Sequence, residues 1–361
     1  MVIIPERKVK MKQRKNKTTK FFKRNITVNN KRIVIGCGSL GLMLLTFAFV
    51  LYGPWAGFRN FWITTAMTTM NHRYLATSLY DSKTISKVLE DNSIVEVSGS
   101  TNPDLIKFNK YGKTKAYKNK YDEQILNHKK NQLYKVIDIE GKSYNGFLVA
   151  IYDSSRVGIA TSKYLGKKGE AITTVAKENK AIIAMNAGGF YDPDWNSNGA
   201  IPHGIVIKNG KVISEYKPAN MGGGFIGFDK KNRLILGKFS KEEALKKEIR
   251  DAIEFGPFLI VNGKSSFVKG NGGWGIAPRT AIGQREDGIT LFLVINGRIP
   301  TSIGADMADL TEIMENYGAI NAANLDGGSS TELVIKNKII NTPVAGGKNG
   351  LRDMSTFWIV K

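Results

Sequence analysis

The chain has 361 residues, with 53 lysines and arginines against 31 aspartates and glutamates, so its formal net charge is +22. One cysteine and three scattered histidines argue against a disulfide framework, a cysteine-based zinc site and a histidine-built zinc enzyme. A hydrophobic content of 42% excludes disorder of the whole chain. The positive charge suits nucleic acid, an anionic membrane or an acidic polymer, and its position along the chain decides among them.

Half of that charge lies in residues 1–32, which hold twelve basic residues and one glutamate and form a basic tail. Residues 33–52 then carry no charge and are long enough to cross a bilayer as a helix. The alternative is a cleaved signal peptide, whose apolar core would be shorter and followed by a small-residue cleavage site. A Gly-Pro-Trp sequence follows instead. We therefore predict a single-pass transmembrane anchor over residues 33–53, with the tail cytoplasmic and the rest outside the cell.

A tail held beside a membrane faces anionic lipid, so no nucleic-acid partner is predicted. The outer part keeps the other half of the charge, which suits an anionic, phosphate-bearing glycan but is equally compatible with a solvated surface. Residues 58–92 have a mainly helical pattern, and residues 93–128 are polar with weak periodicity. Residues 54–128 are accordingly predicted to be an extracytoplasmic helical stalk or linker.

Residues 129–361 differ in composition from what precedes them, because 31 of the 38 glycines lie after residue 129. Strand-like runs recur at 146–153, 181–186, 290–296 and 332–335. Asn-Gly or Asp-Gly pairs separate apolar runs at 209–210, 262–263 and 287–288, which predicts three hairpins.

Two helices are also indicated in this part of the chain. Ser240 and Glu243 form a capping box at the head of residues 241–251. A stripe at helical spacing from Leu310 to Tyr317 ends at Gly318. We predict an α+β fold, in which a hairpin-rich domain of mixed or antiparallel sheets carries a few packing helices and is preceded by one transmembrane helix.

Polar residues follow strand-like runs in glycine-rich segments, where the backbone can approach a ligand closely. Asn186 ends one such run and precedes Gly188 and Gly189. Its side chain fits the binding of a substrate hydroxyl or amide, and equally a turn in which asparagine bonds its own backbone. His203 heads a hairpin as a candidate phosphate ligand or acid, although a lone histidine beside glycine is more often structural.

Two further segments carry charged residues. The small and apolar neighbours of Arg279 predict a buried guanidinium, which needs an anionic partner: a bound phosphate or carboxylate, or a structural salt bridge. Asp326 follows an apolar stretch and precedes Gly327 and Gly328. This is a carboxylate placed for chemistry in an exposed loop, or an Asp-Gly turn of a hairpin. The run of three hydroxyl residues from Ser329 exceeds what such a turn requires.

Taken in order, these segments resemble the phosphodiester glycosidase family, relatives of N-acetylglucosamine-1-phosphodiester alpha-N-acetylglucosaminidase, the uncovering enzyme. The matching stretches are MNAGGFYD, HGIVIKNGKV, GPFLIVNG, APRTAIG with LFLVINGR, NLDGGSSTELV and STFWIV. They run from about residue 130 to the C-terminus, and the chain looks like a bacterial, membrane-anchored member. One departure is Asn296, where many members are expected to have aspartate, so a catalytic role of that aspartate would be missing.

The resemblance implies a hydrolase that cleaves sugar-1-phosphodiesters of the N-acetylglucosamine-1-phosphate type in envelope polysaccharide or teichoic-type polymers at the cell surface. A phosphate leaving group is already a stable anion, so an acid matters less than in ordinary glycosidases. The site then needs cations and amide donors around the phosphate and one carboxylate near the anomeric carbon. Arg279 fits the first need, and Asp326 fits the second as nucleophile or base.

The remaining predicted roles follow from the same resemblance. Backbone N–H groups of Gly327 and Gly328 would donate to the phosphate or to developing charge. Asn186 and Ser329 would hold sugar hydroxyls or the acetamido group. The candidates for a second carboxylate rank below Asp326. The predicted catalytic residues are Asp326, Arg279, Glu332 and Glu254, and the predicted substrate-binding residues are Asn186, Gly188, Gly189, His203, Gly327, Gly328 and Ser329.

No cofactor or metal is predicted. Residues 192–198 (DPDWNSN) loosely resemble a calcium loop but lack its terminal glutamate and full spacing, so a polar surface loop is favoured. Two other functions stay open on the sequence: glycosyl transfer to an acceptor during exopolysaccharide assembly, and non-catalytic binding of an envelope polysaccharide. A pure binder would not need a carboxylate facing an anionic ligand, since that repels it.

Overall fold

The computed structural model describes residues 35, 37–69, 72–108, 116–192, 197–216, 223–344 and 350–361. The predicted basic tail (1–32), residues 33, 34 and 36 of the predicted anchor, and residues 193–196 of the loop that resembles a calcium site lie outside these ranges. The chain divides into two compact units, Met1–Asn60 and Phe61–Lys361.

The first unit contains helix α1 (Cys37–Tyr52) and the beginning of α2 (Ala56–Met67). Among the described residues no single helix is both long and apolar enough to span a bilayer, and only α1 and α2, taken together as a bent pair, satisfy that criterion of length and composition.

The second unit combines short helices with many strands. Its helices after α2 are α3 (Tyr74–Thr77), α4 (Ser82–Asp91), α5 (Lys120–Leu126), α6 (Ile172–Glu178), α7 (Lys241–Lys246) and α8 (Met307–Asn316). Its strands are β1 (Ile94–Val95), β2 (Tyr134–Glu140), β3 (Asn145–Ile151), β4 (Val157–Thr161), β5 (Ile183–Asn186), β6 (Gly204–Lys208), β7 (Lys211–Tyr216), β8 (Gly224–Asp229), β9 (Leu234–Gly237), β10 (Ile249–Phe255), β11 (Phe258–Val261), β12 (Lys264–Ser265), β13 (Phe267–Val268), β14 (Arg279–Arg285), β15 (Thr290–Ile295), β16 (Ala319–Asn324), β17 (Leu333–Ile335), β18 (Lys338–Ile339) and β19 (Thr356–Val360).

The described strands form antiparallel sheets. Their strand orders are β12-β11-β16-β14-β15-β3-β2, β7-β6-β10-β8-β9, β18-β17-β5-β19-β4 and the pair β1-β13. The α+β class is therefore confirmed, and the sheets are antiparallel throughout these strands. The three hairpins predicted at Asn-Gly and Asp-Gly pairs are present as β6–β7, β11–β12 and β14–β15. Asn209 and Asn262 take the positive φ that such tight turns require.

The two predicted helices form, but one is shorter than expected. The stripe from Leu310 to Tyr317 lies on α8 and is buried. Helix α7 begins with the predicted capping box of Ser240 and Glu243 but ends at Lys246, not at residue 251. Glu248 has a φ of 54°, which breaks the helical path, and the following residues pair with β8 as β10. Tertiary pairing here outweighs local helix propensity.

One large core joins the sheets. Apolar side chains of β3, β5, β8, β15 and β19, including Phe228, Phe292 and Trp358, pack in a single buried cluster. Helix α8 covers the other face of the seven-stranded sheet, and the apolar side chains between them form a second buried cluster. Part of the segment predicted as a stalk also packs here, since β1 pairs with β13 and Ile125 is fully buried in the second cluster. These contacts fix the strand ends from which the polar segments project.

Candidate functional site

A cavity of about 250 Å³ lies where several strands end. Its wall is drawn from residues that precede or follow β5, β6, β14, β15, β16 and β19, and from the end of α2. The lining residues are Thr68, Thr69, Gly189, Phe190, Asp192, His203, Phe255, Trp274, Ala277, Arg279, Arg298, Asp326, Gly327, Gly328, Ser329 and Arg352. The structure therefore brings together Arg279, Asp326, His203, Gly189 and the Gly327–Ser329 turn, which the sequence predicted from separate motifs.

Asp326 lies in the loop after β16 and is held by backbone contacts. Its N–H donates to the carbonyl of Ala187 at 3.0 Å, and its own carbonyl accepts from the side-chain amide of Asn186 at 2.6 Å. Burial raises the pKa of the Asp326 carboxyl above its ordinary value of 3.8, although the Ser330 hydroxyl and the charge of Arg352 oppose this shift. A carboxylate with a raised pKa is a better proton acceptor, which suits a base.

One of the two N–H groups in the glycine turn after Asp326 already has a partner inside the protein. The N–H of Gly328 donates to the carbonyl of Pro278 at 2.8 Å. The N–H of Gly328 is therefore used inside the protein, whereas donation by Gly327 to the phosphate or to developing charge stays a prediction. Gly327 is also required for close packing, since a Cβ there would lie 2.8 Å from the carbonyl oxygen of Pro278.

Arg279 begins β14 with its guanidinium buried in the wall of the cavity. Its Nε donates to the carbonyl of Ala305 at 3.1 Å, and one terminal nitrogen donates to the carbonyls of Trp274 and Gly275. Within the described residues no carboxylate forms a salt bridge with it, so the structural salt bridge left open by the sequence is not formed there. Burial and then the nearby charge of Arg298 lower its pKa to about 10, so it stays cationic at neutral pH.

Two further arginines line the cavity, and the sequence analysis assigned neither. Arg298 follows β15 with a φ of 57°, and its guanidinium lies 3.5 Å from where a Cβ of Gly328 would be. Arg352 forms an ion pair with Asp192, and its guanidinium carbon lies 4.7 Å from the ring centroid of Phe190. The cavity therefore holds cationic groups on more than one side of Asp326.

Asp192 is a second carboxylate in this cavity. It is 4% exposed and accepts the N–H of Ser197 at 2.9 Å as well as the guanidinium of Arg352. Its charge contributes to the raised pKa of Asp326, so the two carboxylates act on each other. The quoted motifs contain Asp192 and Arg298, and their positions in the segments that follow strand-like runs were the signal that could have identified them.

His203 also lies in the wall, beside the glycine turn that follows β5. The backbone N–H of His203 donates to the carbonyl of Gly189. Its imidazole ring stacks on the ring of Tyr216, with the ring centroids 6.2 Å apart. Burial lowers the pKa of the imidazole below 6.5, which favours its neutral form. A neutral imidazole can donate one hydrogen bond to a substrate oxygen and accept another.

Asn186 and Gly188 lie beneath the cavity and do not line it. The side chain of Asn186 is 1% exposed and is engaged with Asp326, with the hydroxyl of Thr280 at 2.8 Å and with the N–H of Glu332 at 3.2 Å. Gly188 donates its N–H to the hydroxyl of Thr356. Asn186 was predicted to hold a sugar hydroxyl or the acetamido group. In the structure its amide instead forms internal hydrogen bonds that hold the loop of Asp326 in place.

Glu332 is buried as well and is not among the lining residues. One carboxylate oxygen accepts the N–H of Arg352 at 2.8 Å, and the other has no partner among the described groups. Burial raises the pKa of Glu332 to about 8, with the hydrogen bond from Arg352 opposing it. A neutral, enclosed carboxyl fits a support for the Arg352 segment better than a catalytic carboxylate.

Glu254 and Asn296 also have internal roles. Glu254 lies on β10, does not line the cavity and accepts the N–H of Ile205 at 2.8 Å. The amide of Asn296 donates to Asn145 at 2.7 Å and accepts the N–H of Thr342 at 2.8 Å. Asparagine at position 296 therefore supports the loops around β15 without touching the cavity. Within the described ranges, no three metal-binding side chains converge.

Comparison with known proteins agrees with this picture. The sequence model of the phosphodiester glycosidase family matches residues 179–361. A prophage-derived uncharacterised protein of Bacillus subtilis is 29% identical over 215 residues, which are 57% of this chain but 32% of that protein. The chain thus covers about a third of that relative's length. The catalytic domain of a zebrafish N-acetylglucosamine-1-phosphodiester alpha-N-acetylglucosaminidase, solved in a form auto-inhibited by its pro-peptide, has a similar fold with a TM-score of 0.51 at 20% identity, covering 64% of this chain and 85% of that one.

Proposed function

Since the chain belongs to the phosphodiester glycosidase family, we propose that it hydrolyses sugar-1-phosphodiesters of the N-acetylglucosamine-1-phosphate type in an envelope polysaccharide or teichoic-type polymer. One observation carries this proposal: cationic and anionic side chains from distant parts of the chain share one cavity. They are Asp192, Arg279, Arg298, Asp326 and Arg352. Guanidinium groups match the geometry of a phosphate, whereas carboxylates serve the chemistry of an anomeric carbon.

In this proposal Arg279 binds the phosphate. The carbonyls of Ala305, Trp274 and Gly275 hold its guanidinium in one orientation but leave its charge uncompensated by a salt bridge among the described residues. A fixed cation stabilises the charge that develops on the leaving phosphate without having to reorganise. Arg298 adds a second cation that lies over the glycine turn.

Asp326 acts at the anomeric carbon, either as nucleophile or as the base that takes a proton from water. The bond between that carbon and the phosphate oxygen breaks, and its electron pair leaves with a phosphomonoester. Water finally supplies the hydroxyl of the released sugar. The sequence analysis named Glu332 and Glu254 as candidates for a second catalytic carboxylate. We assign that role to Asp192 instead, because Asp192 lines the cavity and the two glutamates do not.

The two alternative functions, non-catalytic binding of a polysaccharide and glycosyl transfer, differ from hydrolysis in the reaction that takes place at Asp326. A binding protein gains nothing from Asp192 and Asp326 beside an anionic ligand, since both repel it. A glycosyl transferase would use the same residues but pass the sugar to a hydroxyl other than that of water. Products of the reaction separate these cases.

We further propose that the protein acts at the outer surface of the cell membrane, anchored by its N-terminal segment. The uncharged run of residues 33–52 and the basic residues before it support this location. Labelling of intact cells with a membrane-impermeant reagent tests it: residues after 54 should react and residues 1–32 should not.

The decisive experiment incubates the full chain in detergent with an alkyl diester of N-acetylglucosamine-1-phosphate and measures free sugar and alkyl phosphate. Asp326→Asn is the control, because it keeps the size of the side chain and removes its charge. Release by the wild type that the variant loses supports the proposal. Equal release by both excludes the role of Asp326, and release by neither from a panel of sugar phosphodiesters excludes the hydrolase.

A further inference from the structure

Two threonines from outside the family-matched residues complete the wall of the cavity. Thr68 and Thr69 follow α2 and line the same cavity as Arg279 and Asp326, whereas the family match begins only at residue 179. These two residues therefore lie outside the part of the chain that the family model matches.

The end of α2 is firmly packed where it reaches the cavity. Ile63 and Thr64 are fully buried, and the hydroxyl of Thr64 accepts the side-chain amide of Asn271 at 2.7 Å. Gly275 lies so close to the helix that a Cβ there would be 2.8 Å from the Cα of Thr65. Since Arg279 bonds the carbonyl of Gly275, the helix and the phosphate-binding arginine share one support.

The threonine hydroxyls can still accept hydrogen bonds. The hydroxyl of Thr68 donates to carbonyls of its own helix, including the carbonyl of Thr64 at 3.0 Å. Thr69 donates to the carbonyl of Ala66 at 2.8 Å and accepts the N–H of His72 at 3.2 Å. A hydroxyl has two acceptor lone pairs, so both side chains keep capacity for a donor on a ligand.

The positions of the lining residues give the cavity a direction. At one end, Arg352 pairs with Asp192 and lies over the ring of Phe190. The charges of both Arg352 and Asp192 act on Asp326, so the anomeric carbon would lie at this end. Arg279 is bonded to the carbonyl of Trp274. The hydroxyl of Thr68 lies 3.5 Å from the same carbonyl, so Thr68 stands beside Arg279. The ring of Phe255 packs near Trp274 and also against Gly189, so it borders both ends of the cavity.

We propose that Thr68 and Thr69 bind the leaving-group side of the substrate and select a phosphodiester whose alcohol carries further hydroxyls, a polyol phosphate. This inference rests on the proposed function. Polyol hydroxyls donate to the threonines while the carbon chain packs on Trp274 and Phe255. A site built to pair hydroxyl groups discriminates against an analogue that lacks them.

The test compares two substrates that differ only in those hydroxyls, the glycerol and the propyl diesters of N-acetylglucosamine-1-phosphate. Thr68→Val and Thr69→Val remove the hydroxyls and nearly keep the shape of the side chain. In the full chain we expect each to lower kcat/KM for the glycerol diester about three- to tenfold, because each removes a hydrogen bond, and to change it less than twofold for the propyl diester.

Thr77→Val is the matched control, since Thr77 is an exposed threonine that donates to a carbonyl of its own helix and does not line the cavity. It should change neither rate. Equal losses on both diesters, no loss on either, or a wild-type preference for the propyl diester would each overturn the selection of polyols while leaving hydrolysis intact. If the wild type cleaves neither diester nor any other sugar phosphodiester, the proposed function itself fails, and this inference with it.

Discussion

The two ends of strand β14 carry buried arginines in opposite circumstances. Arg285, at its C-terminal end, forms salt bridges with Asp122 and Asp287 at 2.8 and 3.0 Å. Burial acts to lower the pKa of Arg285, but the two carboxylates raise it above its ordinary value. Arg279, at the N-terminal end, is bonded to carbonyl groups, and burial lowers its pKa to about 10.

The difference supports our proposal that one end of the strand stabilises the fold and the other binds a ligand. A buried charge that is paired and hydrogen-bonded is tolerated, whereas one without a counter-charge is costly unless a ligand supplies it. Arg279 forms no salt bridge among the described residues, although the charges of Asp306 and Asp326 act on it, and this difference from Arg285 supports its proposed role as a phosphate ligand. Four predictions test this contrast, from the largest expected effect to the smallest.

Arg285→Met should cost about 3–5 kcal/mol of unfolding free energy, because it leaves the buried Asp122 and the partly buried Asp287 without the arginine that pairs with them. Denaturant unfolding measures this cost. Activity per folded molecule should stay within about twofold of the wild type, since Arg285 does not line the cavity. A stable Arg285→Met protein would contradict the structural role of this end.

Arg279→Met should lower kcat/KM on a sugar phosphodiester by about 10²–10³-fold, the usual effect of losing one fixed charge-stabilising group. Its cost in unfolding free energy should be at least about 1 kcal/mol smaller than that of Arg285→Met, because an uncompensated buried charge is removed together with its hydrogen bonds. Equal activity losses in both variants would abolish the contrast between the two ends.

Glu332 is a buried carboxyl without a salt bridge among the described residues, so its burial should appear as a pH dependence of the unfolding free energy. Its pKa is about 8 in the folded protein against 4.5 ordinarily, so the folded state holds the proton through this interval. Stability from this group is complete below pH 4.5 and is lost as the pH rises towards 8, with a slope of up to about 1.4 kcal/mol per pH unit. Unfolding curves between pH 5 and pH 8 should show a smaller decline for Glu332→Gln; parallel declines would show that Glu332 ionises normally.

Arg298→Gln should have the smallest effect. Its guanidinium lies over the glycine turn, where partial burial lowers its pKa, but the residue as a whole is exposed, so salt screens part of its charge. We expect a rise in KM of about three- to tenfold that grows as the salt concentration falls, with unchanged unfolding free energy. A loss as large as that of Arg279→Met would make Arg298 the principal phosphate ligand.

Local sequence signals were reliable where the chemistry is local. The Asn-Gly and Asp-Gly pairs specified hairpins because few residues adopt the positive φ that those turns need. The capping box marked the start of α7 because the side chains of Ser240 and Glu243 bond each other's backbone N–H groups three residues apart. The end of α7 was not predicted, since pairing of β10 with β8 depends on residues far away in the sequence.

The polar residues of the site were predicted less completely. Asp326 and Arg279 were identified from their neighbours and do line the cavity. Asn186 has the same kind of sequence context, yet its amide is used inside the protein. Arg352 and Thr68 were missed because nothing in their local sequence distinguishes them, and their importance comes from elements that meet only after folding.

The sequence by itself determined the hairpins, the α+β class and the family motifs that place a carboxylate and an arginine at strand ends, because each depends on short-range backbone and spacing rules. Only the tertiary structure decided which buried arginine keeps an uncompensated charge, which glycine N–H groups are already bonded and which threonines face the cavity. Those properties depend on the partners that each group finds, and decisive ones, such as Asp122 for Arg285 and Pro278 for Gly328, lie far away along the chain.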